Sequence, residues 1–143
     1  MLRRIAEWLI GRRDKPKTKV NPFAIVVGEG DDPDLRILAG PRAVYPKKRG
    51  KAPEEFQADL AKFRAELRRK SEAGFRYSRR RAVAIGSRYY IWRTSRDSGV
   101  CDVCQSREGK KFSWHAEPTH GHAGATDCCP DGYCRCYPEA VFD

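Results

Sequence analysis

All six cysteines and all three histidines of the chain fall between Cys101 and Cys136. Cys101-Asp-Val-Cys104 forms a short knuckle whose two sulfurs can reach one ion, and Cys134-Arg-Cys136 returns a second pair much later. Thiolates bind Zn2+ at ~2.3 Å in a tetrahedron, and four of them close the shell with no open position. A closed shell is structural rather than catalytic chemistry. The first expectation is therefore a zinc site made of Cys101, Cys104, Cys134 and Cys136. His115, His120, His122, Cys128 and Cys129 lie between the two pairs as alternate ligands. One alternative puts a histidine in place of one of the four cysteines. Another gives a second metal to His120, His122, Cys128 and Cys129. Taken singly, each histidine reads first as an exposed loop residue.

Six cysteines could instead pair as disulfides. Residues 1–11 do not read as a secretion signal, because Glu7 interrupts the apolar stretch and no small-residue cleavage site follows. The expected setting is a reducing cytoplasm, which favours metal over disulfide. Catalysis is expected to be absent. A zinc deaminase pairs His-x-Glu with a later Cys-x-x-Cys, whereas His115-Ala-Glu117 is followed by Cys128-Cys129 and Cys-x-Cys. A metal nuclease needs histidine and carboxylates around an open position, and no spacing brings Asp97, Asp102 and Asp127 together.

The elements that must position these ligands are sparse. Hydrophobic residues make up 40% of the 143 residues and charged residues 34%, so the chain can bury only a modest core. Leu2, Ile5, Trp8 and Leu9 suggest a short amphipathic helix over 2–10, and Phe23–Val27 a short strand. Residues 28–51 mix Gly, Pro, Asp and Lys and read as an extended connector with a brief apolar patch at Leu35–Leu38. Pro53, Glu54 and Glu55 suit a helix first turn. Phe56, Leu60, Phe63 and Leu67 then make one apolar stripe, a packing face, with Gly74 as the expected stop. That predicts a helix over 53–72. Residues 76–86 fit a second helix or a turn into a strand. Arg88–Thr94 reads as a strand with Tyr90 and Trp92 on one face and Tyr89 and Ile91 on the other.

The formal net charge of +10 is unevenly placed. Residues 64–96 carry 11 basic and 2 acidic side chains, while 97–143 carry 4 basic and 8 acidic. The basic block, with Arg68, Arg69, Lys70, Arg76, Arg79, Arg80, Arg81 and Arg88 interleaved with aromatic residues, is a candidate surface for nucleic acid or for an acidic protein partner. The bland alternative is a solvated face. Charge alone does not choose among them.

Two longer strings carry a resemblance. Tyr90-Ile-Trp92-Arg-Thr94-Ser95-Arg-Asp97 runs into Cys101-Asp-Val-Cys104 and then Glu108-Gly109-Lys110. The chain ends with Cys129-Pro130-Asp-Gly-Tyr-Cys134-Arg135-Cys136-Tyr137-Pro138-Glu139. Together these resemble the Mu F-like head-morphogenesis domain of minor head proteins in tailed phages and prophages. The resemblance covers roughly residues 83–142, and the matching positions are Trp92, Thr94, Asp97, Cys101, Cys104, Gly109, Cys134, Arg135 and Cys136. The extra Cys128-Cys129 pair and His120-x-His122 lie outside the pattern. The resemblance implies a virion component assembled in the bacterial cytoplasm, contacting portal or capsid proteins and possibly DNA during head assembly or packaging.

The expected architecture is small, loop-rich α+β. A basic arm and connector over 1–51 lead to a helical segment over 52–82 and a short-stranded zinc-knuckle module over 83–143. Trp92 and Tyr90 should pack against the knuckle, and Asp97 should cap the turn before it. Competing functions are a free zinc-knuckle nucleic-acid binder and a phage-encoded nuclease or toxin effector.

Overall fold

A computed structural model describes residues 32–142. The helix expected over 2–10 and the strand expected over 23–27 lie outside them. The described chain is a small α+β fold: a long helix beside a three-stranded antiparallel sheet, with the cysteines gathered near the C-terminal end. No helix among the described residues is long and apolar enough to cross a membrane.

Where a connector was expected, the chain first forms helix α1, Pro33–Ala39. Asp32 caps it by accepting the Asp34 N–H at 2.9 Å, and Pro33 occupies the first turn, where its missing N–H costs nothing. The patch at Leu35–Leu38 is thus one face of a helix packed on its longer neighbour. Residues 41–48 have no regular structure but lie along that same neighbour. Tyr45 meets Phe56 and Phe63 edge-on, with ring centroids 6.4 and 5.4 Å apart.

Helix α2 runs Pro53–Ala84, a length of about 48 Å. It does not stop at Gly74. A Cβ there would lie 3.8 Å from Leu38 Cδ2, so Gly74 marks where α1 passes close by. The true stop is Gly86. It sits at φ +95°, and the Gly86 N–H to Val83 O and Ser87 N–H to Ala82 O bonds close the end in the paired pattern of a Schellman motif. Residues 76–84 are therefore helix. Phe75 and Ala82 carry α2 into the same core as the sheet.

Strand β1, Tyr89–Arg93, lies in the middle of the sheet, between β2, Lys111–Ser113, and β3, Tyr137–Val141. Tyr89 pairs with Ser113 on one side and Val141 on the other. The alternation expected of β1 holds: Tyr90 and Trp92 are fully buried while Tyr89 is exposed. Trp114 joins them in the core and donates its indole N–H to Ser87 Oγ at 2.9 Å. That hydroxyl also lies 2.8 Å from Val141 O, tying the end of α2 to β3. Full burial of one large aromatic side chain is worth about 2–3 kcal/mol, so this trio anchors the sheet.

The Gly74 geometry yields a test. A methyl group fits the space beside Leu38, and alanine is the better helix former by about 1 kcal/mol. Gly74→Ala should raise the midpoint of urea unfolding, whereas Gly74→Leu should lower it by forcing α1 away. Equal destabilisation by both would show that position 74 tolerates no side chain at all.

Candidate metal centre

Helix α3, Asp102–Arg107, sits in the connection between β1 and β2. Its N-cap is Cys101, whose sulfur accepts the Cys104 N–H at 3.5 Å. One turn of helix therefore places Cys101 and Cys104 side by side. The turn before it is held by Asp97, whose carboxylate accepts the Gly99 N–H at 2.9 Å, as expected, and the Arg135 guanidinium at 2.6 Å. A Cβ at Gly99 would meet the end of that guanidinium, which would have to swing aside.

The structure brings together Cys101, Cys104, Cys128 and Cys129 as one set and Cys104, Cys134 and Cys136 as another, each with its sulfurs within 4.8 Å of one another. Cys101 shares no such set with Cys134 and Cys136. The thiolate quartet anticipated from the two outer pairs is thus distributed over two groups that meet at Cys104. Cys128 and Cys129, placed second from spacing, complete the tetrad around the knuckle. Four sulfurs at ~2.3 Å from one ion lie ~3.8 Å from each other. The cross distances match: Cys104 to Cys128 and to Cys129 are each 3.8 Å, Cys101 to Cys128 is 3.4 Å, and Cys101 to Cys129 is 4.0 Å. This group could hold a metal ion.

Electrostatics leads the same way. Contact with Cys134 and Cys136, reinforced by burial, raises the Cys104 thiol pKa. Burial pushes Cys129 up to about 12. Contact with Cys104 and Cys136 holds Cys134 far below the usual thiol range. Burial opposes ionisation of Cys101, yet the Cys104 N–H and neighbouring thiols outweigh it and lower its pKa. Negative charge on one sulfur suppresses it on the next. A bound cation removes that conflict, because each thiolate then gains a ligand bond.

The histidines stand apart from both sulfur sets. His115 is exposed on the rim of a cleft with Arg76, Arg79 and Arg80. His120, at φ +68°, pairs with Asp127 at 2.9 Å. His122 is a core residue. Its ring stacks on Phe75 at 4.4 Å, and Nδ1 lies 2.9 Å from the Tyr90 hydroxyl. Burial raises the Tyr90 pKa to about 12 and lowers that of His122. The hydrogen bond therefore joins a neutral phenol to a neutral imidazole.

Sequence reasoning missed Arg107. Its guanidinium lies 4.8 Å from the centroid of Trp92, donates to Gly121 O at 3.2 Å and also reaches Thr119 O. It pins the loop carrying Cys128 and Cys129 to the sheet. Only the tertiary approach of that loop distinguishes it from other arginines. Trp92 and Tyr90 do share one core cluster with Cys104, Cys134 and Cys136.

The basic block is largely spent within the chain. Arg68 pairs with Glu72 and Arg69 with Glu66. Lys70 donates to the carbonyls of Gly40 and Pro41. Arg76 and Arg80 converge on buried Asp34, and Arg80 also reaches Asp32. Arg81 sits over the Tyr77 ring. Arg79 and Arg88 show no carboxylate partner among the described residues.

Two outcomes are expected. Cys129→Ser should lose bound metal and lower Tm on the order of 10 °C, while His120→Ala should keep its metal. Equal metal content in the two variants would contradict the tetrad. Separately, the folded His122 pKa lies below its free value of 6.5, so the unfolded chain takes up the proton first. Stability is intact above pH 6.5 and declines as pH falls below it. His122→Asn, which can still hydrogen-bond the Tyr90 hydroxyl, should flatten part of that decline in thermal melts. No family model, curated protein or solved structure shows significant similarity to this chain.

Proposed function

We propose that the chain is a phage or prophage minor head protein of the Mu F-like kind, an architectural component with a structural zinc knuckle at Cys101, Cys104, Cys128 and Cys129. Four thiolates at tetrahedral spacing suit Zn2+, which binds without geometric preference and without redox chemistry. The observation that carries the family reading is the joint its motif positions make. The Gly109 N–H donates to Trp92 O at 2.8 Å, Arg135 binds Asp97 at 2.6 Å, and Cys104 Sγ lies 4.0 Å from Cys134 Sγ. The Thr94 N–H donates to the Glu108 carboxylate at 2.6 Å between them. Two strings separated by the 18 residues 111–128 thus form one unit, as a shared motif requires.

A protein partner such as a portal or capsid subunit is favoured over DNA. Six of the eight basic candidates already bind groups of this chain, which leaves less charge to neutralise phosphates. Meanwhile Phe56, Leu60, Phe63 and Leu67 remain only half-buried along α2, and Val44 and Tyr45 beside them are 79% and 60% exposed. A mixed apolar and charged surface of this kind suits protein contact.

Particles purified after prophage induction should contain peptides of this chain in fixed ratio to portal protein, measured by quantitative mass spectrometry. Absence from particles, together with salt-sensitive retention of duplex DNA by the free protein, would replace this reading with the nucleic-acid one.

A further inference from the structure

The tetrad leaves Cys134 and Cys136 unassigned, and their placement is unlike that of cysteines filling a core. Residues i and i+2 on an extended chain share a face. Arg135 between them turns outward to Asp97, while both sulfurs enter the interior, at 1% and 6% exposure. There they and Cys104 lie within 4.8 Å of one another. A purely apolar cysteine would set its sulfur against carbon; these three converge on a common point.

A second observation concerns Trp92. Its indole N–H is buried and has no hydrogen-bond partner of ordinary geometry, at an energetic cost of about 1–3 kcal/mol. Trp92 and Cys136 pack in the same buried cluster. A metal-bound thiolate is the acceptor that would best satisfy that donor. Thr126, also buried, places its hydroxyl 3.4 Å from Cys129 Sγ, so polar groups of the core lie beside the sulfur cluster. Such outer contacts orient and neutralise metal-bound ligands.

We propose that Cys104, Cys134 and Cys136 hold a second soft d10 cation, Zn2+ or Cu+, and that the Cys104 thiolate bridges it to the ion of the tetrad. The proposal rests on the metal reading of the tetrad. Loading the second ion is ligand exchange without oxidation: Cys134 and Cys136 each form a metal–sulfur bond, and the protons of those thiols that are not already ionised pass to solvent. Three sulfurs complete a trigonal shell for Cu+ and leave a fourth position on Zn2+. The knuckle would then be a two-ion thiolate cluster joining three stretches of chain.

The full-length protein, stripped of metal and reloaded with 113Cd2+, tests this by cadmium NMR, with native mass spectrometry of the protein as purified to count and identify the ions. Two cadmium resonances split by coupling through a shared sulfur are expected, with Cys136→Ser losing one and keeping the other. Native mass spectrometry should find two ions per chain, either two zinc or one zinc and one copper. A single wild-type resonance that persists in Cys136→Ser would overturn the second site and leave the tetrad standing. Two uncoupled resonances would overturn the bridge. No bound cadmium in the wild type would remove both readings. Should Cys136→Ser fail to fold, the number and coupling of the wild-type resonances decide the question.

Discussion

The C-terminal half of the fold depends on where one sulfur sits. Cys104 is fully buried and belongs to both thiol groups. Its position is set from two sides, by the single turn of α3 begun at Cys101 and by the aromatic core behind it. Residues 114–136 contain no helix and no strand. A loop of that length must be fixed by something other than backbone ladders, against an ordering cost of roughly 1–2 kcal/mol per residue. Trp114 and His122 fasten the loop to the core, and an ion held by the cysteines would tie it to α3 as well.

The aromatic core and the sulfur cluster are mutually dependent. Trp92 lies under the Arg107 guanidinium and packs in one buried cluster with Cys104, Cys134 and Cys136, so the strand that organises the sheet shares its core with the thiols. His122 fills a slot between Phe75 and Tyr90. It thereby fastens the loop to α2 with a neutral ring rather than through metal. The apolar contact at His122 and the cysteine group at Cys128 and Cys129 thus involve different parts of the same loop.

Charge also joins the two helices. Asp34 is buried and receives both Arg76 and Arg80, whose heads stay about half exposed. Solvent screening keeps such a pair to about 1–2 kcal/mol. Its greater effect is on register: it fixes α1 against one turn of α2. A strongly basic stretch of sequence can therefore fold into a surface much less basic than its composition suggests.

The sequence by itself determined whatever depends on neighbours along the chain. Period-2 alternation at Tyr90 and Trp92, the Asp97 turn, the start of α2 at Pro53 and the Cys101–Cys104 knuckle are all local in cause. Each follows from backbone geometry within a few residues. The extent of α2 was only half legible, since glycine at position 74 looks the same whether it ends a helix or admits a neighbour. Gly86 acts as the stop because its φ is positive there. Only the tertiary structure decided which sulfurs meet. Cys128, Cys129, Cys134 and Cys136 all lie at distances along the chain compatible with the knuckle, and sequence separation does not set direction through a loop. That direction is set by Arg107 on the loop carbonyls, by His122 under Tyr90 and by Arg135 on Asp97, contacts between residues far apart in sequence.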